Sequence, residues 1–382
     1  MKIDTLIVKG IEAKSNPHNA VIPPIYLAST FVQESLDDFG KYAYSRGANP
    51  TRNAFEELFA KFEGSKYAFA LASGMAATSA AFALLKSGDR VLLNNNVYGG
   101  TYRYVSRIFK NQGINYDLVD DLNLITKIPS DVKMVFIETP SNPLLRVTDI
   151  ERISELAHKN GALVVMDNTF LTSYYQRPLE HGADVVVYSA TKYIGGHADL
   201  IAGIVTTNDD ELAARIQFMK NTLGATLSPT DAYSLIRGLK TLSVRFDRQS
   251  ENTLKIIEFL RGNPAVEAVN FAGSHSANEK KIQDRQASGI GAVISLVLKP
   301  QYDYKTFARS LELFDLAVSL GGVESLICHP ASMTHESYPR ELQERIGISQ
   351  NLLRLAIGSA GNSARYSSRQ PNPPSHRHRK RG

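Results

Sequence analysis

The sequence predicts an α/β fold: a mostly parallel sheet with helices on both faces, followed by a smaller C-terminal α/β unit. Three observations carry this expectation. Between about residues 66 and 207, short apolar runs alternate with amphipathic segments. The runs are rich in Val and Ile without strict polar alternation, as expected for strands covered on both faces. A chain of 382 residues with 43% apolar content is also long enough to bury a large core.

The strand-like runs are Ala68–Ala72, Val91–Asn94, Ile114–Val119, Val132–Ile137, Leu163–Met166, Val185–Tyr188 and Ile201–Thr206. Helix-like segments follow or separate them at Met75–Lys86, Thr101–Asn111, Asp149–Lys159 and Glu211–Asn221. Residues 228–262 read as helix. Beyond them lie strand candidates Val266–Asn270 and Ala292–Leu298, a helix Tyr304–Phe314 and an apolar run Leu352–Ile357. The first 45 residues have weak periodicity and read as an arm. The expected units are an arm (1–45), a large domain (46–235), a smaller C-terminal domain (236–358) and a basic disordered tail (359–382).

Composition removes several classes of function. The single cysteine, Cys328, excludes an internal disulfide and any cysteine-based zinc site, and it points to a reducing compartment. The N-terminus MKIDTLIVKG lacks the layout of a signal peptide, and no apolar run approaches the ~20 residues of a spanning helix. A soluble, cytoplasmic protein is expected, with no membrane partner. The net charge of +5 suggests nucleic acid until the charges are located. Residues 359–382 hold Arg365, Arg369, Arg377, Arg379, Lys380 and Arg381 and no acid, so the rest of the chain carries one net negative charge. A Ser-, Pro- and Arg-rich tail gives only salt-sensitive, sequence-blind binding, and no specific nucleic-acid partner is expected.

In parallel sheets ligands bind beyond the carboxyl ends of the strands, so polar residues just after apolar runs matter most. Leu163–Met166 ends in Asp167. Val185–Tyr188 ends in Ser189-Ala190-Thr191-Lys192, followed by Gly195-Gly196-His197. Ala68–Ala72 ends in Ser73-Gly74-Met75, which opens a helix. Singly, these are ordinary caps, turns and a solvated lysine. Together they suit pyridoxal phosphate (PLP): a lysine for a Schiff base with the aldehyde, and a carboxylate to keep the pyridine nitrogen protonated. The phosphate would sit on helix N–H groups and hydroxyl donors such as Ser189 and Thr191. No GxGxxG or P-loop string competes.

Eight strings then make the resemblance specific: Tyr44–Asn53 (YSRGANPTRN), Ala72–Ala77 (ASGMAA), Val97–Thr101 (VYGGT), Glu138–Pro143 (ETPSNP), Asp167–Phe170 (DNTF), Tyr188–His197 (YSATKYIGGH), Arg237–Leu242 (RGLKTL) and Ser319–Leu326 (SLGGVESL). In this order, over roughly residues 5–358, the chain resembles the Cys/Met-metabolism PLP enzymes. That family includes cystathionine γ-synthase, cystathionine γ- and β-lyases and methionine γ-lyase. The resemblance implies the aspartate-aminotransferase-like fold (type I) of PLP enzymes. It implies that Lys192 carries PLP and shuttles protons, that Asp167 pairs with the pyridine nitrogen, and that Gly74, Met75, Ser189 and Thr191 hold the phosphate. Tyr98 would stack on the ring, and Asn142 would contact the ring hydroxyl or the substrate carboxylate. Arg354 would grip that carboxylate with help from Ser319, a task suited to a planar bidentate donor. Tyr44 and Arg46 match residues that reach a neighbouring subunit's phosphate, which implies at least a homodimer and usually a homotetramer.

Within the family, the resemblance places Glu324 where a carboxylate could hold the distal ammonium of cystathionine, and Arg103 where it could hold the distal carboxylate. β-Lyases of the better-known kind carry an aromatic in place of Glu324. This leans to a γ-lyase of transsulfuration that turns L-cystathionine into cysteine, 2-oxobutanoate and ammonia. γ-Synthase and β-lyase are the alternatives. Cys328-His329 reads as core rather than metal site, and no metal is expected. The chain departs from the family after Gly358, where relatives continue into an acidic amphipathic helix. Here the string reads as a change of frame or as natural divergence.

Overall fold

The computed structural model describes residues 2–11 and 18–360. The expected basic tail therefore lies, from residue 361 on, outside the described residues.

All seven runs of the first half become strands: β1 (Tyr67–Leu71), β2 (Arg90–Asn94), β3 (Asn115–Val119), β4 (Val132–Glu138), β5 (Leu163–Asp167), β6 (Val185–Ser189) and β7 (Gly203–Thr207). Their spatial order is β1-β7-β6-β5-β4-β2-β3. Strands β3, β2, β4, β5 and β6 are mutually parallel, while β7 runs antiparallel to both β6 and β1. Every strand except β7 thus delivers its carboxyl end to one edge. Both faces are dry. Along β5 and β6, Val164, Met166, Val186 and Tyr188 enter one apolar cluster, and Val165, Val185 and Val187 enter another on the opposite face. That is why the sequence shows runs rather than alternation.

Among the described residues, twelve α-helices accompany the strands: α1 (Ile3–Lys9), α2 (Pro50–Glu63), α3 (Gly74–Phe82), α4 (Gly99–Gln112), α5 (Ile150–His158), α6 (Thr172–Tyr175), α7 (Asp210–Leu223), α8 (Pro229–Leu239), α9 (Leu242–Arg261), α10 (Ala277–Gln286), α11 (Tyr304–Ser310) and α12 (Arg340–Ile346). Helix α2 shows why such segments form. The Asn49 side chain caps it by accepting from Thr51 N and Arg52 N, Pro50 fills its first turn, and Gly64 closes it at φ 78°. Its Phe55, Leu58, Phe59 and Phe62 are buried. The smaller sheet, β8 (Val266–Asn270), β9 (Val293–Leu298), β10 (Asp315–Leu316), β11 (Leu326–Cys328) and β12 (Leu352–Ala356), has the order β10-β11-β12-β9-β8 and is antiparallel except at β10·β11. Cys328 is buried there, opposite Arg354.

Three local expectations change. The arm is not uniform: α1 packs on α2 with Ile7 fully buried, and Lys61 Nζ donates to Gly10 O at 3.0 Å. Seven residues are too few for a periodicity to register. Residues 19–45, by contrast, form no helix or strand; residues 29–45 fold back on themselves through bonds from Phe31 N to Ala43 O and from Ser45 N to Ser29 O, and Val32, Leu36 and Phe39 stand in solvent. Helix α11 stops at Ser310 rather than Phe314, because the chain must straighten to pair Asp315–Leu316 with β11. Strand β7 starts at Gly203 rather than Ile201, because Ala202 bonds Thr191 instead of a neighbouring strand. Among the described residues no helix is long and apolar enough to cross a membrane.

Candidate active site

A cavity of about 280 Å³ opens where β1, β4, β5 and β6 end. Helix α3 begins at its floor. Ser73 caps that helix by accepting from Ala76 N at 3.0 Å, which leaves first-turn N–H groups facing the cavity. The helix sits close because Gly74 has no side chain: a Cβ there would meet Ser189 Cβ at 2.7 Å. The floor thus offers backbone donors and a positive dipole end, with Met75 and Ser189 beside them.

Strand ends supply the charges. Asp167 closes β5 and accepts from Thr169 N at 3.0 Å. Burial pushes its carboxyl upward, the bonds from Thr169 pull it down, and Lys192 attracts it. Thr169 Oγ1 in turn accepts from Ser189 N at 2.8 Å, which ties the ends of β5 and β6 together. Lys192 follows β6 by three residues, and its Nζ donates to Ser319 Oγ at 3.2 Å. Desolvation, then the nearby Arg354 charge, lower its pKa to about 8 despite the attraction of Asp167. At neutral pH roughly a tenth of such an amine is neutral, far more than of an ordinary lysine, and the neutral form is what a nucleophile or base requires.

The opposite wall comes from the smaller sheet. Arg354, mid-strand in β12 and 3% exposed, donates from Nη1 to Asn142 Oδ1 at 3.0 Å and from Nη2 to Ser319 O at 2.8 Å. Its Nε is buried without a partner. Ser319 holds φ at 96°, a conformation costing about 1–3 kcal/mol that the surrounding bonds must maintain. An anion between Arg354 and Lys192 would satisfy both cations.

Of the residues singled out in the sequence, Gly74, Met75, Tyr98, Asn142, Asp167, Ser189, Thr191, Lys192, Ser319 and Arg354 line this one cavity. Tyr44, Arg46, Arg103 and Glu324 do not. Arg46 donates to Asn221 Oδ1 at 3.3 Å and stacks its guanidinium over Tyr44, 5.4 Å from the ring centroid. Arg103 on α4 and Glu324 after the Gly321-Gly322 turn are exposed. Thr191 lines the cavity, but its hydroxyl hydrogen goes to Ala202 O at 3.2 Å, so it is not a free donor here. Sequence reasoning missed Glu138, buried at the end of β4, and the apolar mouth residues Ile201 and Val318. Glu138 carried the same signal as Asp167, an acid closing an apolar run, but its string was read only as a whole.

A partly buried amine of lowered pKa, an acid at a strand end and an anion-binding helix start fit PLP, and they define a PLP-dependent enzyme of the type I fold. The comparisons agree and narrow the class. The model of the Cys/Met metabolism PLP-dependent enzymes matches residues 4–360, and the chain belongs to that family. It is an enzyme of the carbon–sulfur lyase type. The chain is 46% identical over 359 residues to the cystathionine β-lyase of Lactococcus lactis subsp. cremoris (strain MG1363), covering 93% of this chain and 94% of that one. It superimposes on the cystathionine γ-lyase of Lactobacillus plantarum complexed with L-serine with a TM-score of 0.91 at 39% identity, over 94% and 95% of the two chains. It also superimposes on the cystathionine γ-synthase of Xanthomonas oryzae pv. oryzae in complex with aminoacrylate and cysteine, with a TM-score of 0.89 at 39% identity over 94% and 95%.

Proposed function

We propose that the enzyme cleaves L-cystathionine by γ-elimination, releasing cysteine, 2-oxobutanoate and ammonia. The observation that carries the reading is the placement of Lys192 Nζ on Ser319, whose carbonyl is held by the Arg354 guanidinium. A substrate carboxylate on Arg354 and Asn142 brings its Cα beside Nζ. Bound PLP supplies an electron sink for the bonds at Cα. Lys192 Nζ moves the protons, first at Cα and then at Cβ, the second being what distinguishes loss of a γ-substituent from loss of a β-substituent. Asp167 takes the pyridine nitrogen, and Gly74, Met75 and Ser189 take the phosphate. Thr191 joins them once its hydroxyl turns from Ala202. Tyr98 covers the ring. Arg103 and Glu324 meet the distal carboxylate and ammonium where a long substrate extends past Ile201 and Val318.

A second reading, β-elimination, is favoured by the 46% identity to a cystathionine β-lyase. Mass spectrometry of the products separates the two. The γ-reading expects cysteine and 2-oxobutanoate, whereas homocysteine with pyruvate identifies a β-lyase. Efficient cystathionine formation from an acylated homoserine, with little cleavage, identifies a synthase. If Glu324 acts as assigned, Glu324→Ala hurts cystathionine more than homocysteine, which lacks the distal pair.

The working form in this reading is at least a homodimer and normally a tetramer, with Tyr44 and Arg46 reaching the neighbour's phosphate. The exposed apolar side chains of residues 19–45 support it, since a second copy would cover them. Mixing inactive Arg46→Ala with inactive Lys192→Ala protein, with subunit exchange demonstrated, should restore activity. In mixed dimers one of the two sites is built from unaltered parts, so an equal mixture recovers up to roughly a quarter of the parent's sites. No recovery would place Arg46 within its own chain's site.

A further inference from the structure

We propose that Glu138 is a positioning residue whose carboxyl group fixes the backbones of Tyr98 and Asn142 together, and so sets the grip of Arg354 relative to the ring of Tyr98. The inference rests on the roles assigned above to Arg354 and Tyr98.

Glu138 is 4% exposed and makes no contact of the kind a surface acid makes. Its Oε2 accepts from Tyr98 N and its Oε1 from Asn142 N, each at 2.8 Å. Its own backbone is pinned from both sides by Asn94, which accepts from Glu138 N at 3.0 Å and donates to Glu138 O at 3.1 Å. Each segment it holds is also held elsewhere. Asn142 O receives a bond at 2.9 Å from His335 Nε2, which must carry the hydrogen because a carbonyl can only accept. Burial and the Arg354 charge lower the His335 pKa to about 3, so its ring is neutral, and Nδ1 accepts from Thr334 Oγ1 at 2.9 Å. Tyr338 OH and Ser337 Oγ donate to Val97 O and Gly99 O on either side of Tyr98. Asn142 is thus fixed at its N–H, its carbonyl and, by Arg354, its side chain. Glu138 bonds the Tyr98 segment and the Asn142 segment directly, at their two N–H groups, with a single side chain; the His335 ring reaches the neighbouring carbonyl side of both segments, at Val97 and Asn142. Burial, then the nearby Asp167 charge, push the Glu138 carboxyl well above the usual carboxylate range, against the pull of the Tyr98 and Asn142 N–H bonds and of Arg354.

The test compares two amines on the holoenzyme by the change each causes in cofactor absorbance. Glycine has a carboxylate for Arg354 and nothing to eliminate; methylamine has the amine alone. Glu138→Gln keeps the size but turns an NH₂ toward one of the two N–H groups. Glu138→Asp keeps a carboxyl but cannot span both. In each, the Kd for glycine should rise about tenfold, the effect of a disturbed charge-assisted bond, while that for methylamine stays within about twofold. Equal weakening of both amines means a general structural lesion, and no change in either means no positioning role; each overturns the proposal. Arg354→Lys runs beside them. If it binds glycine as the parent does, the role of Arg354 fails and this proposal fails with it. If it alone weakens glycine, only the proposal for Glu138 fails.

Discussion

Lys192→Ala should give a folded protein that lacks the absorbance of cofactor attached to a lysine, with turnover lower by at least about a thousandfold. The fold survives because Lys192 is only partly buried and its side chain makes one hydrogen bond, to the neutral hydroxyl of Ser319. The loss of turnover is large because one amine is asked to attach the cofactor and to move protons at two substrate carbons. Its lowered pKa of about 8 adds a pH signature. The neutral amine is the nucleophile, so the rate at which apoprotein takes up PLP should climb as pH rises toward about 8 and level off above it. Absorbance after dialysis, far-UV circular dichroism and product formation check the three parts. Parent-like colour with more than a few per cent of parental activity would sink the assignment.

Much of this site could be read from strand ends. Asp167 and Ser189 close apolar runs, Lys192 follows one, and Gly74 opens the helix after another, so the parallel geometry alone brings them to one edge. Arg354 was legible only through the resemblance. An arginine inside the apolar run Leu352–Ile357 is anomalous, and nothing in the run says that it faces Asn142, 212 residues away. Helix α2 was hidden by its own start, since Asn49-Pro50 was read as part of a cofactor string although it is also an N-cap and first turn. Strands β10 and β11, of two and three residues, are too short to carry a period and exist because of their neighbours. Helices α10 and α12 were missed for a related reason: α10 is strongly polar and α12 has seven residues, so neither shows an apolar stripe long enough to count. Tyr44 and Arg46 differ in kind. The contact proposed for them is with another copy; in the single chain they stand in solvent beside each other.

Arg354→Ala should lower kcat/KM by about 3 kcal/mol, roughly a hundredfold or more, for every amino-acid substrate whatever its length. The guanidinium is buried in the middle of β12, opposite Ser295 on one side and Cys328 on the other. Both of its hydrogen bonds go to neutral oxygens, on Asn142 and Ser319, and Nε has no partner, so its charge is poorly compensated until an anion arrives. A carboxylate bound there gains a charge-assisted bond in a low-dielectric site, where such bonds are strong. Arg354→Lys should rescue little, because a single ammonium cannot hold Asn142, the Ser319 carbonyl and the substrate at once. A second consequence follows from the field of the same charge. After desolvation, Arg354 is the leading cause of the lowered Lys192 pKa, so its removal should move the pH at which PLP uptake levels off upward from about 8. A variant that merely unpacked β12 would lose thermal stability and would not shift that profile in a defined direction. The length-independence separates Arg354 from Glu324, whose loss should spare short substrates. Steady-state kinetics on cystathionine and homocysteine, with the uptake profile and a melting curve, decide it: less than a threefold change in kcat/KM for both substrates would remove Arg354 from the site.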